Sequence, residues 1–181
     1  MNPHPHFLWA DLFKRKSALQ NRLVDTLKEN VLFNTLSSKE LTYLSNFVYE
    51  RVYQPEEPIC GHNDRGLGMY LISKGRVGIK TQSSQGEMLV TILNEGSFFG
   101  ELALVDPDHL RSASAVAYER TILIGFFKPD LIEILERKPA MGVKILLQLS
   151  TVLGRRLLET TEKMTLLTRA RGMPQSHEDA A

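Results

Sequence analysis

"MYLISKGRVGIKTQ", residues 69–82, decides the fold class. Two short apolar and β-branched runs, MYLIS and RVGIKTQ, meet at the break SKGR (73–76). Runs of this length on either side of a glycine-bearing turn read as two antiparallel strands. The pattern continues in both directions. FVYERVY (47–53), MLVTIL (88–93), SASAVAYE (112–119) and ILIGFF (122–127) read as further strands, with turns at SSQGE (83–87) and NEG (94–96). Short strands at close, regular spacing predict a mainly β fold with flanking helices, built on an antiparallel jelly-roll barrel over about 47–127.

The flanks are helical. Leu8, Leu12, Leu19, Leu23 and Leu27 recur at mostly helical spacing. A second, short helix fits 38–47, with Ser37 or Ser38 as its cap and Glu40 completing a capping box on Ser37. After Phe127, Pro129 and Asp130 suit a first helical turn, because proline needs no N–H there and aspartate favours the positive end. That helix is expected to stop near Lys138, and Pro139 to open another that runs to about Thr168. Thirty helical residues span about 45 Å, more than a small barrel can cover. Along this helix Leu146, Ser150, Leu153, Leu157, Thr160, Met164 and Leu167 are spaced alternately four and three, the stripe of a two-stranded coiled coil, which Leu147, Leu149 and Leu158 widen. One face is therefore expected on the barrel and the other on a second copy, giving a homodimer through 139–168. The division that follows is an N-terminal helical extension (1–29), a main domain (30–168, helices over 129–168) and a mobile tail (169–181).

Composition removes several function classes. The 181 residues carry a formal charge of +1, so no global basic field invites nucleic acid. The basic clusters KRK (14–16) and RR (155–156) read as solvated helix faces, and Phe7, Leu8 and Trp9 as a small apolar cluster docked on the domain. A single cysteine, Cys60, rules out an intramolecular disulfide and a four-cysteine metal site. With His62 in CGH it could offer haem two ligands, but a lone barrel cysteine reads first as core filling. No apolar run approaches the ~20 residues needed to cross a bilayer, and the N-terminus lacks the pattern of a secretory signal. The cytoplasm is the expected compartment, and no cofactor is expected.

One stretch remains unexplained by folding: GSFFGELALVDPDHLRSASAVA, residues 96–117. Glu101 and Arg111 stand ten positions apart among small neighbours. Spacing leaves two readings open. The two side chains pair with each other across a loop, or they face a ligand. For a ligand, Gly100 would allow close backbone approach and free N–H groups opening a helical turn would attract an anion. The Arg111 fork suits phosphate oxygens, Ser112 adds a hydroxyl, and an ionised Glu101 accepts from a hydroxyl such as a sugar's. Phosphate and sugar together suggest a nucleotide of low charge. Asp106 and Asp108 in DPDH would oppose an anion unless turned to solvent.

FGELAL (99–104) followed by RSAS (111–114) resembles the phosphate-binding cassette of the cyclic-nucleotide-binding domain family. LFNTLSSKELTYLSNF (32–47), YLISKGRVGI (70–79) and DLIEILERKPAMGVKILLQLSTVLGRRL (130–157) are similar to that family's surrounding pattern, and RRLLETTEKM (155–164) looks most like its bacterial cyclic-AMP receptor branch. The resemblance implies that Glu101 holds a ribose hydroxyl and that Arg111 and Ser112 hold a cyclic phosphate. It also implies backbone contacts from Gly100 and Ala113, with Leu102 in the ligand-binding set, and base contacts from Thr160 and Thr161. The implied function is a stand-alone, non-enzymatic receptor, for cyclic AMP in the first place and cyclic GMP or cyclic di-GMP as alternatives, acting on an unknown effector protein. An interaction module with a vestigial pocket is the other reading. Only thirteen residues follow Thr168, so no helix-turn-helix DNA-binding domain is expected.

Overall fold

The computed structural model describes residues 5–83, 86–106, 108 and 110–172, with side chains described from residue 17 to residue 169 within those ranges. Phe7, Leu8, Trp9 and the KRK cluster are therefore placed by backbone alone, and 173–181 lie outside the described residues.

The barrel is two four-stranded antiparallel sheets packed face to face, a jelly roll. The strands are β1 (Val48–Tyr53), β2 (Pro58–Cys60), β3 (Gly68–Lys74), β4 (Val77–Ser83), β5 (Gly86–Leu93), β6 (Phe98–Phe99), β7 (Ser114–Ala117) and β8 (Thr121–Phe127). One sheet has the order β1-β8-β3-β6 and the other β2-β7-β4-β5. Six strands fall where the alternation places them. The two shortest, β2 and β6, carry no run-length signal, and Pro58 further disguises β2. At the β3–β4 turn Gly75 takes φ +88°, and a Cβ there would sit 2.8 Å from the carbonyl of Arg120, so SKGR needs its glycine on both counts.

Helices close one side. They are α1 (Pro5–Glu29), α2 (Ser38–Leu44), the single turn α3 (Leu102–Val105), α4 (Lys128–Arg137) and α5 (Pro139–Gly172). α1 opens at Pro5, ahead of the first residue of its leucine pattern, Leu8, and α2 stops three residues short of its expected end. The capping box forms as read, with Ser37 accepting from the Glu40 N–H and the Glu40 carboxylate accepting from the Ser37 N–H.

Two apolar cores result. Tyr53, Ile72, Val77, Phe99, Ala115 and Leu123 fill the space between the sheets. Leu27, Phe33, Leu41, Phe126, Ile134, Ile145 and Leu149 fuse the first sheet to the helices. On α5 the buried apolar side chains are those of Met141, Ile145, Leu149 and Val152, so the helix docks by its first half. From Gly154 to Arg169 every residue is exposed, Leu157, Met164 and Leu167 among them. Of the expected coiled-coil stripe, Leu146 and Leu153 are thus partly spent on the chain's own core, and the outer positions have no cover within it.

Lys144 of α5 donates to both carboxylate oxygens of Glu40, at 2.8 and 3.0 Å, and ties α2 to α5. The Lys144 bond, then the Ser37 N–H, hold the Glu40 carboxyl down at about 2, against an ordinary 4.5. A folded-state value below the unfolded one gives stability that is fully present above pH 4.5 and is lost as pH falls through about 2. Carboxylate titration by NMR is expected to find Glu40 near 2 in the wild type and clearly higher in Lys144→Met. The stability difference between the two proteins should vanish over the same acid window.

Candidate functional site

The site is assembled where β6 runs into α3. Successive side chains of a strand face opposite ways, so the FF pair splits: Phe98 joins the helix-facing core and Phe99 the core between the sheets. Gly100 follows with φ +77° and turns the chain into α3, with Glu101 at the N-cap position just before it. Across the barrel, an isolated bridge from Leu110 to Arg65 brings the chain back, and Arg111 N donates to the Asp64 carbonyl at 2.8 Å. This second anchor points the Arg111 side chain into the barrel.

A cavity of about 190 Å³ opens between these segments. Gly100, Glu101, Leu102, Arg111, Ser112 and Ala113, six of the eight residues singled out in the sequence, line it together with Cys60 and Phe99. Glu101 and Arg111 are each only 6% exposed. They do not pair. Arg111 donates through Nη1 to the Gly100 carbonyl at 3.1 Å and through Nη2 to the Gly68 carbonyl at 2.7 Å, and it lies 5.9 Å from the Tyr70 ring centroid. Among the described residues no carboxylate forms an ion pair with it. Its positive charge is thus fixed by backbone dipoles and left without a counter-ion.

Glu101 is met from an unexpected direction. Arg156 of α5 donates to its carboxylate at 2.5 Å, donates to the Phe98 carbonyl at 3.2 Å and stacks 4.7 Å above the Phe98 ring. Arg156 is exposed, as the reading of RR (155–156) as a solvated face expects, but the tip of its side chain reaches the cavity wall, which that reading did not foresee. The signal was in the sequence: Ile145, Leu149, Val152 and Arg156 follow at steps of four, three and four, so Arg156 lies on the same face of α5 as those buried residues, one turn beyond where burial ends.

Thr160 and Thr161 do not line the cavity. Both are exposed on α5, and their hydroxyls donate to the carbonyls of Arg156 and Leu157, one turn back. Asp106 and Asp108 are exposed and also outside the cavity lining, so neither sits against Arg111. Cys60 sits in the cavity wall; burial raises its thiol pKa, with the Arg111 charge pulling the other way. Among the described residues no cluster of three or more His, Cys, Asp or Glu could hold a metal ion. A wider groove of about 640 Å³ runs between Arg65–Leu67 and α4, but Arg65, Glu136 and Arg137 on its rim are solvated, so it stores no uncompensated charge.

The family model described as "Cyclic nucleotide-binding domain" matches residues 50–138. The "Cyclic AMP receptor protein" of Thermus thermophilus is 32% identical over 143 residues, 78% of this chain and 64% of that protein. The crystal structure of the Thermus thermophilus catabolite activator protein superposes with a TM-score of 0.68 at 31% identity, over 77% of this chain and 63% of that one. A cyclic nucleotide-binding domain structure from Methylobacillus flagellatus gives 0.70 at 23% identity, over 82% of this chain and 83% of that one, a likeness of fold. The chain therefore spans a little under two thirds of the Thermus proteins' length.

Gly100 has two jobs that can be separated. A Cβ there would lie 2.1 Å from Arg111 Nη1, and the positive φ disfavours any side chain. Gly96 has a similar φ, +81°, in open space. Gly96→Ala is expected to lose about 1 kcal/mol of unfolding free energy from the backbone alone. Gly100→Ala should lose clearly more and displace Arg111. Equal losses in urea denaturation would mean the guanidinium yields freely.

Proposed function

Residues 50–138 of this chain belong to the cyclic nucleotide-binding domain family, and from that premise we infer that the protein is a receptor for cyclic AMP which signals through α5. One observation carries the reading. Two opposite charges, Glu101 and Arg111, are buried in the same cavity wall and do not neutralise each other. Burying an ionised group is costly unless it is compensated. A cavity that keeps its acid and its base apart suits a ligand with one anionic group and one hydroxyl donor. A cyclic phosphodiester carries a single charge, which one guanidinium matches, and the adjoining ribose supplies the hydroxyl.

Arg111 and Ser112 hold the phosphate in this reading, and Glu101 accepts from the ribose. Gly100, Leu102 and Ala113 form the surrounding wall. Thr160 lies one turn beyond Arg156 on the same face of α5, with Thr161 beside it, so the base would extend along α5 toward them. The protein acts as a binding module and catalyses nothing. Ribose hydroxyl and Arg156 address one carboxylate, so occupancy of the cavity changes what holds α5 to the barrel. The size of that response is bounded by the ligand's differential affinity for the two arrangements. The name of the Thermus relative supports cyclic AMP as the ligand. The exposed Leu157, Met164 and Leu167 support pairing of α5 with a second copy, and a partner protein would read the change.

Isothermal titration against cyclic AMP, cyclic GMP and cyclic di-GMP tests the ligand. Cyclic AMP is expected to bind most tightly, and Arg111→Ala to weaken it roughly tenfold or more through loss of charge-assisted hydrogen bonds. Unchanged affinity in that variant would refute the site. No heat and no thermal shift with any of the three would leave a vestigial pocket. Light scattering tests the pairing: the wild type should run as a dimer, and Leu157→Glu with Leu167→Glu as a monomer.

A further inference from the structure

We propose that the two grooves flanking α4 form one docking surface for an acidic peptide segment of a partner protein, anchored by a large apolar side chain, and that nucleotide in the cavity alters this surface through residues 64–68. The surface stands on its own geometry; its coupling to ligand rests on the nucleotide-receptor reading. The first groove is the one of about 640 Å³ between residues 65–67 and α4. A second, of about 410 Å³, lies between α2 and the corner where α4 meets α5, and Arg137 borders both. Leu67 and Ile132 line the first groove and are 64% and 45% exposed. Ile132 stands one turn after Lys128 and one turn before Glu136, so the three share a face of α4.

Charge decides what fits there. Two carboxylates at the grooves are already paired, Glu133 with Arg137 at 3.2 Å and Glu40 with Lys144 at 2.8 Å. Arg65, Lys128, Lys138 and Lys39 remain, against Glu136. Among the described residues no ion pair engages any of these four cations. In a chain whose formal charge is only +1 they make a concentrated positive field. Arg65, Lys138 and Lys39 are exposed and Lys128 is half-buried, so the charge faces outward and is open to a partner. A second copy bound through the same face would bring like charges together, which opposes self-association. Nucleic acid would meet the cations through its phosphates and leave Leu67 and Ile132 without an apolar partner. An acidic segment carrying a leucine, isoleucine or phenylalanine answers both features.

Residues 64–68 join this surface to the ligand cavity. Arg111 holds both ends, with its N–H on the Asp64 carbonyl at 2.8 Å and its Nη2 on the Gly68 carbonyl at 2.7 Å. From the other side the Lys128 N–H, at the first residue of α4, donates to the Leu67 carbonyl at 3.0 Å. A phosphate that draws the Arg111 guanidinium pulls on Gly68, and the pull reaches the groove wall beside the first turn of α4. The size of the effect is bounded by how differently the two arrangements bind the nucleotide.

Panning a random-peptide phage library on the full chain tests the surface. Selection is expected to converge on peptides with two or more acids around Leu, Ile or Phe. A fluorescein-labelled copy of the enriched peptide should bind roughly tenfold more weakly to Lys128→Glu with Lys138→Glu, and likewise to Leu67→Ser with Ile132→Ser. Both variants should keep the wild-type urea midpoint, and high salt should weaken the wild-type complex. Saturating cyclic AMP should change the peptide affinity roughly fivefold or more in the wild type and leave it unchanged in Arg111→Ala. No enrichment, convergence on basic or uncharged peptides, or full affinity in either double variant would overturn the docking surface. So would a short DNA duplex that binds more tightly than the peptide and is lost in the lysine variant, which would give the surface to nucleic acid. Peptide binding indifferent to bound cyclic AMP would overturn the coupling. Absence of any heat with cyclic nucleotides would instead overturn the receptor reading, while the peptide measurements still decide the surface.

Discussion

The site depends on a buried guanidinium held by carbonyls. Arg111 spends one nitrogen on Gly100 O and another on Gly68 O, and no acid among the described residues cancels its charge. Carbonyl dipoles fix the group in place, but a dipole compensates a full charge only in part. The geometry needs a residue without a side chain at position 100, where a Cβ would occupy the place of Nη1. It also needs β6 and β3 in register, since Gly68 opens β3 and Gly100 follows β6. The jelly roll thus serves chiefly to bring two carbonyls from distant strands within reach of one side chain.

The second constraint is the tie between barrel and α5. Arg156 reaches Glu101 and the Phe98 carbonyl from a helix whose first half is locked into the core by Met141, Ile145 and Leu149. Beyond Arg156 every described side chain of α5 is exposed. The ion pair therefore sits at the boundary between the docked and the free part of the helix. A contact at such a boundary has leverage, because a small change in the angle at which α5 leaves the domain is amplified along its remaining turns. Partial exposure of the Arg156 side chain keeps the pair modest in strength, so it can be exchanged and does not act as a permanent staple.

α5 commits its first half to the core through apolar residues and extends its second half past it, and there the apolar stripe outlasts the cover among the described residues. α1 is held to the same core by Leu23 and Leu27, so both long helices are fastened at the ends nearest the barrel in sequence.

The sequence by itself determined the strands long enough to alternate and the helix starts at Ser37, Pro129 and Pro139. These are local matters of period, cap and spacing, and such signals survive in one dimension. It could not decide between an ion pair and a ligand site for Glu101 and Arg111, because the same spacing permits both. It passed over β2 and β6, which are too short to show a period and exist only because neighbouring strands supply their hydrogen bonds. It placed Arg156 in solvent, where most of the residue indeed lies, but did not foresee that its guanidinium meets Glu101. Only the tertiary structure decided these points: which carbonyls Arg111 meets, which cation meets Glu101, and where the core ceases to cover α5. Each depends on distances between segments tens of residues apart, which are set by packing of the whole barrel and not by any stretch of chain within it.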